Sequence, residues 1–460
     1  MALRPQFLLL QTSRLVGSVT MRNRRLMLLV APILCLFFVS TSLYYRREQL
    51  SSLKLPFRFD LHGYHDRWMT PPAASYAPKA YCELFVAKQT LGAVLSSSNI
   101  STYIDSIVKP TSTALPRLEC PALDRQRYAS LQAPADAGRE IQYYFALDLR
   151  NCLSILPRLM GSLVQVINFL GPNNCALSIV EGNSPDGTAD ILSALKSNLE
   201  VMGVTYHFNT SSLDPSAGDR IEKLAELRNM ALRPLLKEAN RVTDNTTVVF
   251  LNDVAACAED ILELVHQRRN LGADMTCGMD WTYVGRDPTF YDVWVARGIN
   301  GDTFFDIPPD GNWNSAWNLF WNAHDTQRRY SQQRPFQVFA CWNGAAVFSA
   351  KPILEGLQFR TANTDGGECT QGEPQLFCKD MWFRGYGKIA VIPTVNLEYS
   401  DERAKQIKDL KGYASKLVSE QDPADDVFAW QQSPPEKVKC MPVWENQFWQ
   451  RWDEGLSRKS

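Results

Sequence analysis

From residue 141 onward, short apolar segments alternate with segments whose apolar residues recur at helical spacing, and this alternation restricts the fold more than any other feature. The helical segments carry an apolar side chain at about every third or fourth position, which is typical of helices packed on a core. Strands that alternate with helices form a parallel sheet covered by helices on both faces. We therefore predict an α/β domain with a mostly parallel, Rossmann-like sheet over residues 141–405. Its first strands are predicted at residues 141–149, 175–180, 201–208 and 247–251.

Polar residues follow the second predicted strand at its carboxyl end, which is the edge of a parallel sheet where ligands bind. The loop reads E-G-N-S-P-D-G-T from Glu181 to Thr188. Carboxylate and amide side chains here can accept hydrogen bonds from a nucleobase or from ribose hydroxyl groups. Glu181, Asn183 and Asp186 are therefore candidate nucleotide-binding residues, and capping of the next helix is the alternative for Asp186.

A second acidic site follows the fourth predicted strand, where Asn252 and Asp253 end an apolar run. A carboxylate at the tip of a buried strand is costly unless it is paired or binds a metal ion. Mn²⁺ and Mg²⁺ bind through one or two carboxylates together with phosphate oxygens. We therefore predict that Asp253 binds Mn²⁺ or Mg²⁺ and, through it, a diphosphate; capping of the next helix is the alternative. Asn252 and Arg228 are candidates for contacts to the same nucleotide, with a solvated helix face as the alternative for Arg228.

Six tryptophans lie between positions 281 and 342 among asparagine and aspartate residues. Tryptophan rings stack on the C–H faces of sugars, and asparagine and aspartate side chains bind sugar hydroxyl groups. We expect this region to form a surface for a saccharide, while some of the tryptophans are buried in the core instead. The candidate residues are Trp313, Trp317, Trp342 and Asn343.

Eleven cysteines are present, and Cys35 lies in an apolar N-terminal segment. The other cysteines are even in number, which permits them all to pair in an oxidising compartment. Cys369 and Cys378 bracket Glu373, so we predict a short disulfide loop that presents this carboxylate at the rim of an active site. Glu373 and Asp380 are the candidate catalytic acids, and a stapled surface loop without a function is the alternative.

The N-terminal region contains an uncharged segment, Leu26–Tyr45, which as a helix is long enough to cross roughly 30 Å of hydrocarbon. We predict a single-pass signal anchor, with residues 1–25 in the cytosol, residues 46–140 as a lumenal stem and residues 406–460 as a C-terminal tail. A cleaved signal peptide is the alternative, although its apolar core would be shorter and a small-residue cleavage site should follow. The anchor would place the domain in the lumen of the Golgi or the endoplasmic reticulum.

Glycosylation sequons at Asn99, Asn209 and Asn245 agree with a lumenal domain. The 48 basic and 49 acidic residues give a formal net charge of −1, and a chain without a basic field is not expected to bind nucleic acid. The sequence contains no G-x-S-x-G, H-E-x-x-H or P-loop pattern. The hydrolase, zinc protease and P-loop classes of enzyme therefore have no support.

Long sequence blocks resemble the family of fungal capsule-associated proteins and cryptococcal α-1,3-mannosyltransferases. V-E-G-N-S-P-D-G-T resembles a loop of GT-A nucleotide-sugar glycosyltransferases whose leading acid, here Glu181, contacts the base. F-L-N-D-V resembles their D-x-D element, whose last acid, here Asp253, binds the metal ion. Leu251 stands where that element has its first acid. The blocks that carry the resemblance lie at 149–152, 170–188, 250–264, 341–348 and 372–382.

The resemblance implies a GT-A fold, with a nucleotide-sugar-binding half over 141–280 and an acceptor half over 281–405. It also implies transfer of mannose from GDP-mannose to a saccharide acceptor, with retention of configuration and an α-1,3 linkage. Glu373 or Asp380 would then position the donor sugar or stabilise its positive charge. Two alternatives stay open. One is another donor on the same fold, such as UDP-xylose or UDP-glucose; the other is a non-catalytic factor for polysaccharide assembly or export, which Leu251 favours.

Overall fold

The computed structural model describes residues 94–133 and 138–456, which belong to one compact unit. The predicted cytosolic tail, the predicted anchor Leu26–Tyr45 and the first part of the predicted stem lie outside the described residues. Among the described helices, none combines the length and the apolar character that a membrane span requires.

The described residues form eleven α-helices and twelve strands, numbered here in chain order. The helices are α1 (Ser97–Val108), α2 (Leu156–Leu170), α3 (Thr188–Ala194), α4 (Lys196–Met202), α5 (Arg220–Lys237), α6 (Ala258–Asn270), α7 (His324–Ser331), α8 (Lys351–Leu354), α9 (Glu373–Phe383), α10 (Asp401–Lys411) and α11 (Ala414–Ser419). The strands are β1 (Tyr143–Leu149), β2 (Cys175–Glu181), β3 (Thr205–Thr210), β4 (Thr247–Leu251), β5 (Met275–Val284), β6 (Asp287–Phe290), β7 (Arg297–Gly298), β8 (Phe336–Ala340), β9 (Ala345–Ser349), β10 (Ile389–Leu397), β11 (Lys437–Val443) and β12 (Asn446–Arg451).

Ten of these strands form one sheet in the order β3-β2-β1-β4-β9-β5-β10-β8-β7, with β6 paired to β5. Strands β1 to β4 are parallel, and so are β5 and β10. Because β9 runs antiparallel to both β4 and β5, the strands β5 and β10 point in the same direction as β1 to β4. The sheet is therefore mixed but mostly parallel, and the separate pair β11–β12 is antiparallel.

Side chains of β1 alternate between two cores, because neighbouring residues of a strand point to opposite faces of the sheet. Tyr143, Phe145 and Leu147 belong to one core, together with residues of α2 and α6. Tyr144 and Ala146 belong to the other core, together with residues of α5 and α9. Helices therefore cover both faces of the sheet, as the alternation of the sequence predicts.

The third predicted strand begins later than expected. Val201 belongs to α4, and β3 starts only at Thr205. Gly203 adopts a left-handed conformation with φ of 98° directly after α4, which is a common way for a helix to end. The short apolar run before Thr205 fits a strand and a helix equally well, so its pattern alone could not locate the boundary.

Part of the segment predicted as a stem packs on the domain. Cys120 forms a disulfide with Cys257, which caps the start of α6, and Arg127 pairs with the buried Glu263 of α6 at 2.7 Å. On the C-terminal side, Lys408 of α10 forms a buried ion pair with Asp260 at 2.8 Å. The folded body therefore extends beyond residues 141–405 in both directions.

The cysteine pairing differs from the prediction around Glu373. Cys369 forms a disulfide with Cys440 of β11 rather than with Cys378. Cys378 is a free, buried thiol within α9, and its sulfur lies 3.4 Å from the backbone oxygen of Cys341. The predicted loop cannot close because Cys378 lies on the side of α9 that faces the core. The described cysteines form three disulfides: Cys120–Cys257, Cys277–Cys341 and Cys369–Cys440.

The three sequon asparagines are exposed on the described surface. Asn99 lies in the first turn of α1, Asn209 lies near the end of the edge strand β3, and Asn245 lies in the turn before β4. Each of them is open to solvent in the folded domain. Their glycosylation stays a prediction.

Candidate active site

Glu181 is the last residue of β2, and its side chain accepts hydrogen bonds from the loop that follows it. Its side chain is 1% exposed. One carboxylate oxygen accepts the backbone N–H of Asn183 at 3.1 Å, and the other accepts that of Ser184 at 2.7 Å. Asn183 adopts a positive φ of 57°, a conformation that asparagine tolerates better than most residues. Both oxygens of Glu181 therefore shape the loop in which the nucleotide-binding residues were predicted.

Asp186 joins the loops that follow β1 and β2. Its Oδ1 accepts the backbone N–H of Thr188 at the start of α3 at 2.9 Å, and its Oδ2 accepts that of Leu153 at 3.0 Å. Ser184 adds a second link, because its hydroxyl oxygen accepts the N–H of Asn151 at 2.8 Å. The N-cap of α3 is Gly187, without a side-chain capping bond, so Asp186 is not the cap itself but links the two loops at the edge of the sheet.

Arg228 lies at the centre of a group of acidic side chains. It projects from α5, is 7% exposed, and donates from Nε to Oε1 of Glu373 at 2.8 Å. Its guanidinium carbon lies 4.7 Å from the ring centroid of Trp342, within the range of a cation–π contact. Its Nη1 lies 4.0 Å from Oδ1 of Asp148, too far for a hydrogen bond. The solvated-face alternative for Arg228 is thereby excluded.

Four carboxyl groups interact electrostatically with this guanidinium: those of Asp148, Asp253, Asp292 and Glu373. Burial raises the pKa of Asp148 to about 6; Arg228 opposes the rise, while Glu373 and Asp253 add to it. Burial also raises the pKa of Asp292 to about 6 and that of Asp253 above its usual range. The guanidinium groups of Arg228 and Arg297, the second of which acts on Asp292, cannot balance four ionised carboxylates, so the site has an excess of negative charge.

This excess fits a divalent cation that also binds phosphate. No group of three or more histidine, cysteine, aspartate or glutamate side chains within the described residues is arranged as a metal cage. Mg²⁺ and Mn²⁺ that act on nucleotides do not need such a cage, because phosphate oxygens and water complete their coordination. The oxygen-only character of the cluster suits these hard cations, and Asp253 is the ligand predicted from the sequence.

Trp342 and Asn343 are buried, which corrects the expectation that they bind a saccharide. Trp342 is 1% exposed, and its ring nitrogen donates to Oδ1 of Asn252 at 3.0 Å. The side chain of Asn343 donates to the backbone oxygen of Gly278 at 2.8 Å, and its backbone N–H donates to Oδ2 of Asp292 at 2.9 Å. Tryptophan and asparagine are typical of sugar-binding sites, but Trp342 and Asn343 here contact and position Asn252, Asp292 and Arg228.

The other predicted acceptor residues lie nearer the surface. Trp317 is 82% exposed. Trp313 is half-buried and packs edge-on against Phe305 and Trp444, with ring centroids 5.6 and 6.4 Å apart. Of the four predicted acceptor residues, Trp317 is therefore the one that presents most of its ring to solvent.

Asp380 belongs to a different ion-pair network from Glu373. Both of its oxygens accept from Arg360, each at 2.7 Å. Arg360 also binds both oxygens of Glu368, which pairs in addition with Lys379 at 2.7 Å. Through Arg360, the Asp380 carboxylate therefore links α9 to the preceding loop. Of the two predicted catalytic acids, Glu373 is the one beside Arg228.

No sequence motif singled out Asp148 or Asp280, and Asp292 was expected only among the polar residues of the saccharide surface. Asp148 lies in the apolar run Y-Y-F-A-L-D-L, and Asp280 in M-T-C-G-M-D-W. The cost of burying an isolated carboxylate, which singled out Asp253, also applies to both of them. Asp280 accepts the hydroxyl of Tyr399 at 2.6 Å, and burial raises its pKa well above the usual range, with Asp292 adding to the effect.

We expect the metal-free protein to lose stability as the pH rises through the folded-state pKa of Asp292. That pKa is raised to about 6, so the folded state binds more protons than the unfolded state from about pH 4 to pH 6. The stabilisation is complete below the unfolded-state value and is lost above about pH 6. Urea unfolding in EDTA at about pH 5 and pH 7 measures this slope, which should be shallower in Asp292→Asn. An equal slope in the variant would show that Asp292 is already ionised at the lower pH.

Comparison with known proteins agrees with the resemblance seen in the sequence. Residues 142–380 match the model of the family described as Cryptococcal mannosyltransferase 1. The chain is 36% identical over 351 residues to the α-1,3-mannosyltransferase CMT1 of Cryptococcus neoformans, covering 70% of this chain and 74% of that protein.

The chain also matches solved structures weakly. A mannosyltransferase of Pyrobaculum calidifontis in complex with GDP-mannose and Mn²⁺ matches with 11% identity and a TM-score of 0.33, over 60% of this chain and 63% of that one. TarS of S. aureus matches with 12% identity and a TM-score of 0.32, over 62% and 68% of the two chains. Likeness at this level carries no inference about ligands. The family model and the sequence relative are sufficient, and they show that this chain belongs to the Cryptococcal mannosyltransferase 1 family.

Proposed function

We propose that this chain transfers mannose from GDP-mannose to a hydroxyl group of a saccharide, forming an α-1,3 linkage with retention of configuration. The observation that carries the proposal is the 36% identity to an α-1,3-mannosyltransferase over 70% of the chain. The partly buried carboxyl groups of Asp148 and Asp253 at the carboxyl ends of β1 and β4 support it, because that edge of a parallel sheet is where nucleotides bind. On this proposal the domain has the GT-A fold.

The reaction breaks the bond between C1 of mannose and the β-phosphate oxygen, and the electron pair leaves with the diphosphate. Asp253 would hold Mn²⁺ or Mg²⁺, which when bound would neutralise the charge on that leaving group. Glu373, fixed by Arg228 at 2.8 Å, is placed to stabilise the positive charge that develops on the sugar ring. The acceptor oxygen then bonds to C1, and its proton passes to the released diphosphate, so no side chain has to act as a base.

The acceptor surface is proposed to include Trp317. An exposed tryptophan ring offers an apolar face for the C–H face of a sugar, and Trp317 is 82% exposed. Half-buried Trp313 stays in the proposal as a support for the same surface. Trp342 and Asn343 are left out of it, because both are buried.

The cellular setting is also proposed rather than observed. The uncharged segment Leu26–Tyr45 would anchor the chain as a type II protein, with the catalytic domain in the Golgi or endoplasmic reticulum lumen. Disulfides such as Cys120–Cys257 agree with an oxidising compartment.

A donor panel tests the proposal directly. The full-length protein is incubated with GDP-mannose, UDP-xylose or UDP-glucose and a mannoside acceptor, with Mn²⁺ or with EDTA. We expect nucleotide release and a mannosylated product from GDP-mannose alone, with the rate at least about tenfold lower in EDTA. NMR of the product reports the anomeric configuration. Nucleotide release only from UDP-xylose or UDP-glucose would show that the donor is a UDP-sugar rather than GDP-mannose. If no sugar nucleotide is turned over, a non-catalytic role in polysaccharide assembly or export is favoured.

A further inference from the structure

We propose that Asp148 is the second protein ligand of the divalent cation, supplying from β1 the carboxylate that is missing at position 251. The inference deepens the proposed function and rests on it for the presence of a bound diphosphate. It concerns a residue that neither the sequence motifs nor the family resemblance singled out. Strand register, charge and an unsatisfied buried donor support the assignment.

The register of the sheet brings Asp148 to the level of the loop that carries Asp253. β1 and β4 are parallel neighbours, and Leu147 is paired with Leu251. Asp148 is therefore level with Asn252, one residue before Asp253. The negative charge of Asp253 adds to the rise in the pKa of Asp148, which agrees with this placement. Two carboxylates from adjacent strand ends are a common way to hold a cation that also binds phosphate.

The two faces of the sheet explain why position 251 cannot supply the acid. Leu251 is fully buried in the core that also contains Leu147 and residues of α2 and α6. A carboxylate there would lie in an apolar environment without a partner, at a high cost in free energy. Asp148 follows Leu147 and points to the opposite face, where Arg228 of α5 lies 4.0 Å from it. The neighbouring strand thus provides an acid on the face of the sheet that carries the site.

Within the part of the chain that the structure describes, Asp148 and Asp253 have no positively charged side chain that forms an ion pair with them alone. Arg228 is paired by a hydrogen bond with Glu373 at 2.8 Å, whereas its separation from Asp148 is 4.0 Å. Asp292 is held instead by the backbone N–H of Asn343 at 2.9 Å. The two remaining carboxylates carry a charge of about −2 when ionised, which matches a divalent cation.

An unsatisfied donor indicates that a ligand completes the site. Nη1 of Arg228 is buried and has no hydrogen-bond partner within the described chain. A buried donor without a partner costs free energy that an oxygen of a bound ligand recovers. Because this N–H lies beside Asp148, the ligand oxygen belongs next to the proposed cation. A phosphate or sugar oxygen of the nucleotide sugar has the required chemistry.

Binding of Mn²⁺, measured by electron paramagnetic resonance of the free ion, tests the assignment without any turnover. The full-length protein is titrated with Mn²⁺ alone and with Mn²⁺ and GDP. We expect Asp148→Asn and Asp253→Asn each to weaken binding at least about tenfold, since each loses one of two charged ligands. Asp325→Asn is the control: it removes one carboxyl group outside the cluster, with its side chain 94% exposed, and should bind Mn²⁺ as tightly as the wild type.

The outcomes separate this inference from the function on which it rests. Wild-type affinity in Asp148→Asn, with binding lost in Asp253→Asn, overturns the second ligand and leaves the mannosyltransferase proposal intact. Equal weakening in Asp325→Asn shows that the net charge of the protein rather than ligation controls affinity, and it also overturns the inference. If the wild type does not bind Mn²⁺, both the proposal of a bound cation and the assignment of its ligands are overturned. Circular dichroism and thermal melting of each variant establish that the fold is retained.

Discussion

Asp253→Asn is expected to lower the rate of mannose transfer by about a hundredfold to a thousandfold, the usual cost of losing one group that stabilises developing charge. The substitution keeps the size of the side chain and removes its negative charge. The fold should be retained, because burial raises the pKa of Asp253, which means that ionisation of this group works against the folded state. Initial rates with GDP-mannose and saturating Mn²⁺ measure the effect.

The control for this variant is Asp325→Asn. Asp325 lies in α7 with its side chain 94% exposed, so it loses the same charge without touching the cluster. We expect its rate to equal that of the wild type. A rate in Asp253→Asn within about threefold of the control would remove Asp253 from the reaction, because even a single lost donor at a reacting centre costs more than that.

Arg228→Met should destabilise the protein by about 3–5 kcal/mol, the range found when one partner of a buried ion pair is removed. Methionine fills similar space beside Phe250 and Trp342 but leaves Glu373 without its partner. Asp148 loses its nearest cation in the same step. Urea unfolding of the metal-free protein gives the free energy of unfolding.

The double variant Arg228→Met/Glu373→Gln distinguishes charge from packing. If the uncompensated carboxylate causes the loss, neutralising Glu373 should restore much of the stability, and the two effects should be strongly non-additive. Arg328→Met provides the comparison, because Arg328 forms an exposed pair with Asp325 that is worth about 1 kcal/mol or less. A loss in Arg228→Met no larger than in Arg328→Met would contradict a buried, charge-balancing role.

The elements of the N-terminal half could be predicted because their burial follows the sequence period. β1, β2 and β4 are short and almost wholly buried, as parallel strands covered on both faces must be. α2 and α5 lie where the apolar residues recur at helical spacing, between the predicted strands. The predicted start of β3 was wrong because Val201 and its neighbours fit the spacing of a helix and that of a strand equally well.

The site could be predicted only in part, because it is assembled from distant parts of the chain. Asp253 could be predicted as a site residue because it follows the end of a buried strand, and Arg228 because it lies on a helix near that site. The pairing of Arg228 with Glu373 could not be predicted, because the two residues are 145 positions apart in the sequence. Residue type suggested that Trp342 would bind sugar, whereas burial decides its role. Cysteine spacing suggested that Cys369 pairs with Cys378, and pairings of this kind cannot be deduced from spacing alone.

The disulfide between Cys120 and Cys257 has a consequence for the segment that follows Asp253. It joins segments 137 positions apart, and one of its sulfurs belongs to the residue that caps α6, shortly after Asp253. Closing so large a ring restricts the unfolded chain strongly. A polypeptide kept reduced lacks this covalent link, so we expect the segment after Asp253 to be held less firmly in the reduced protein.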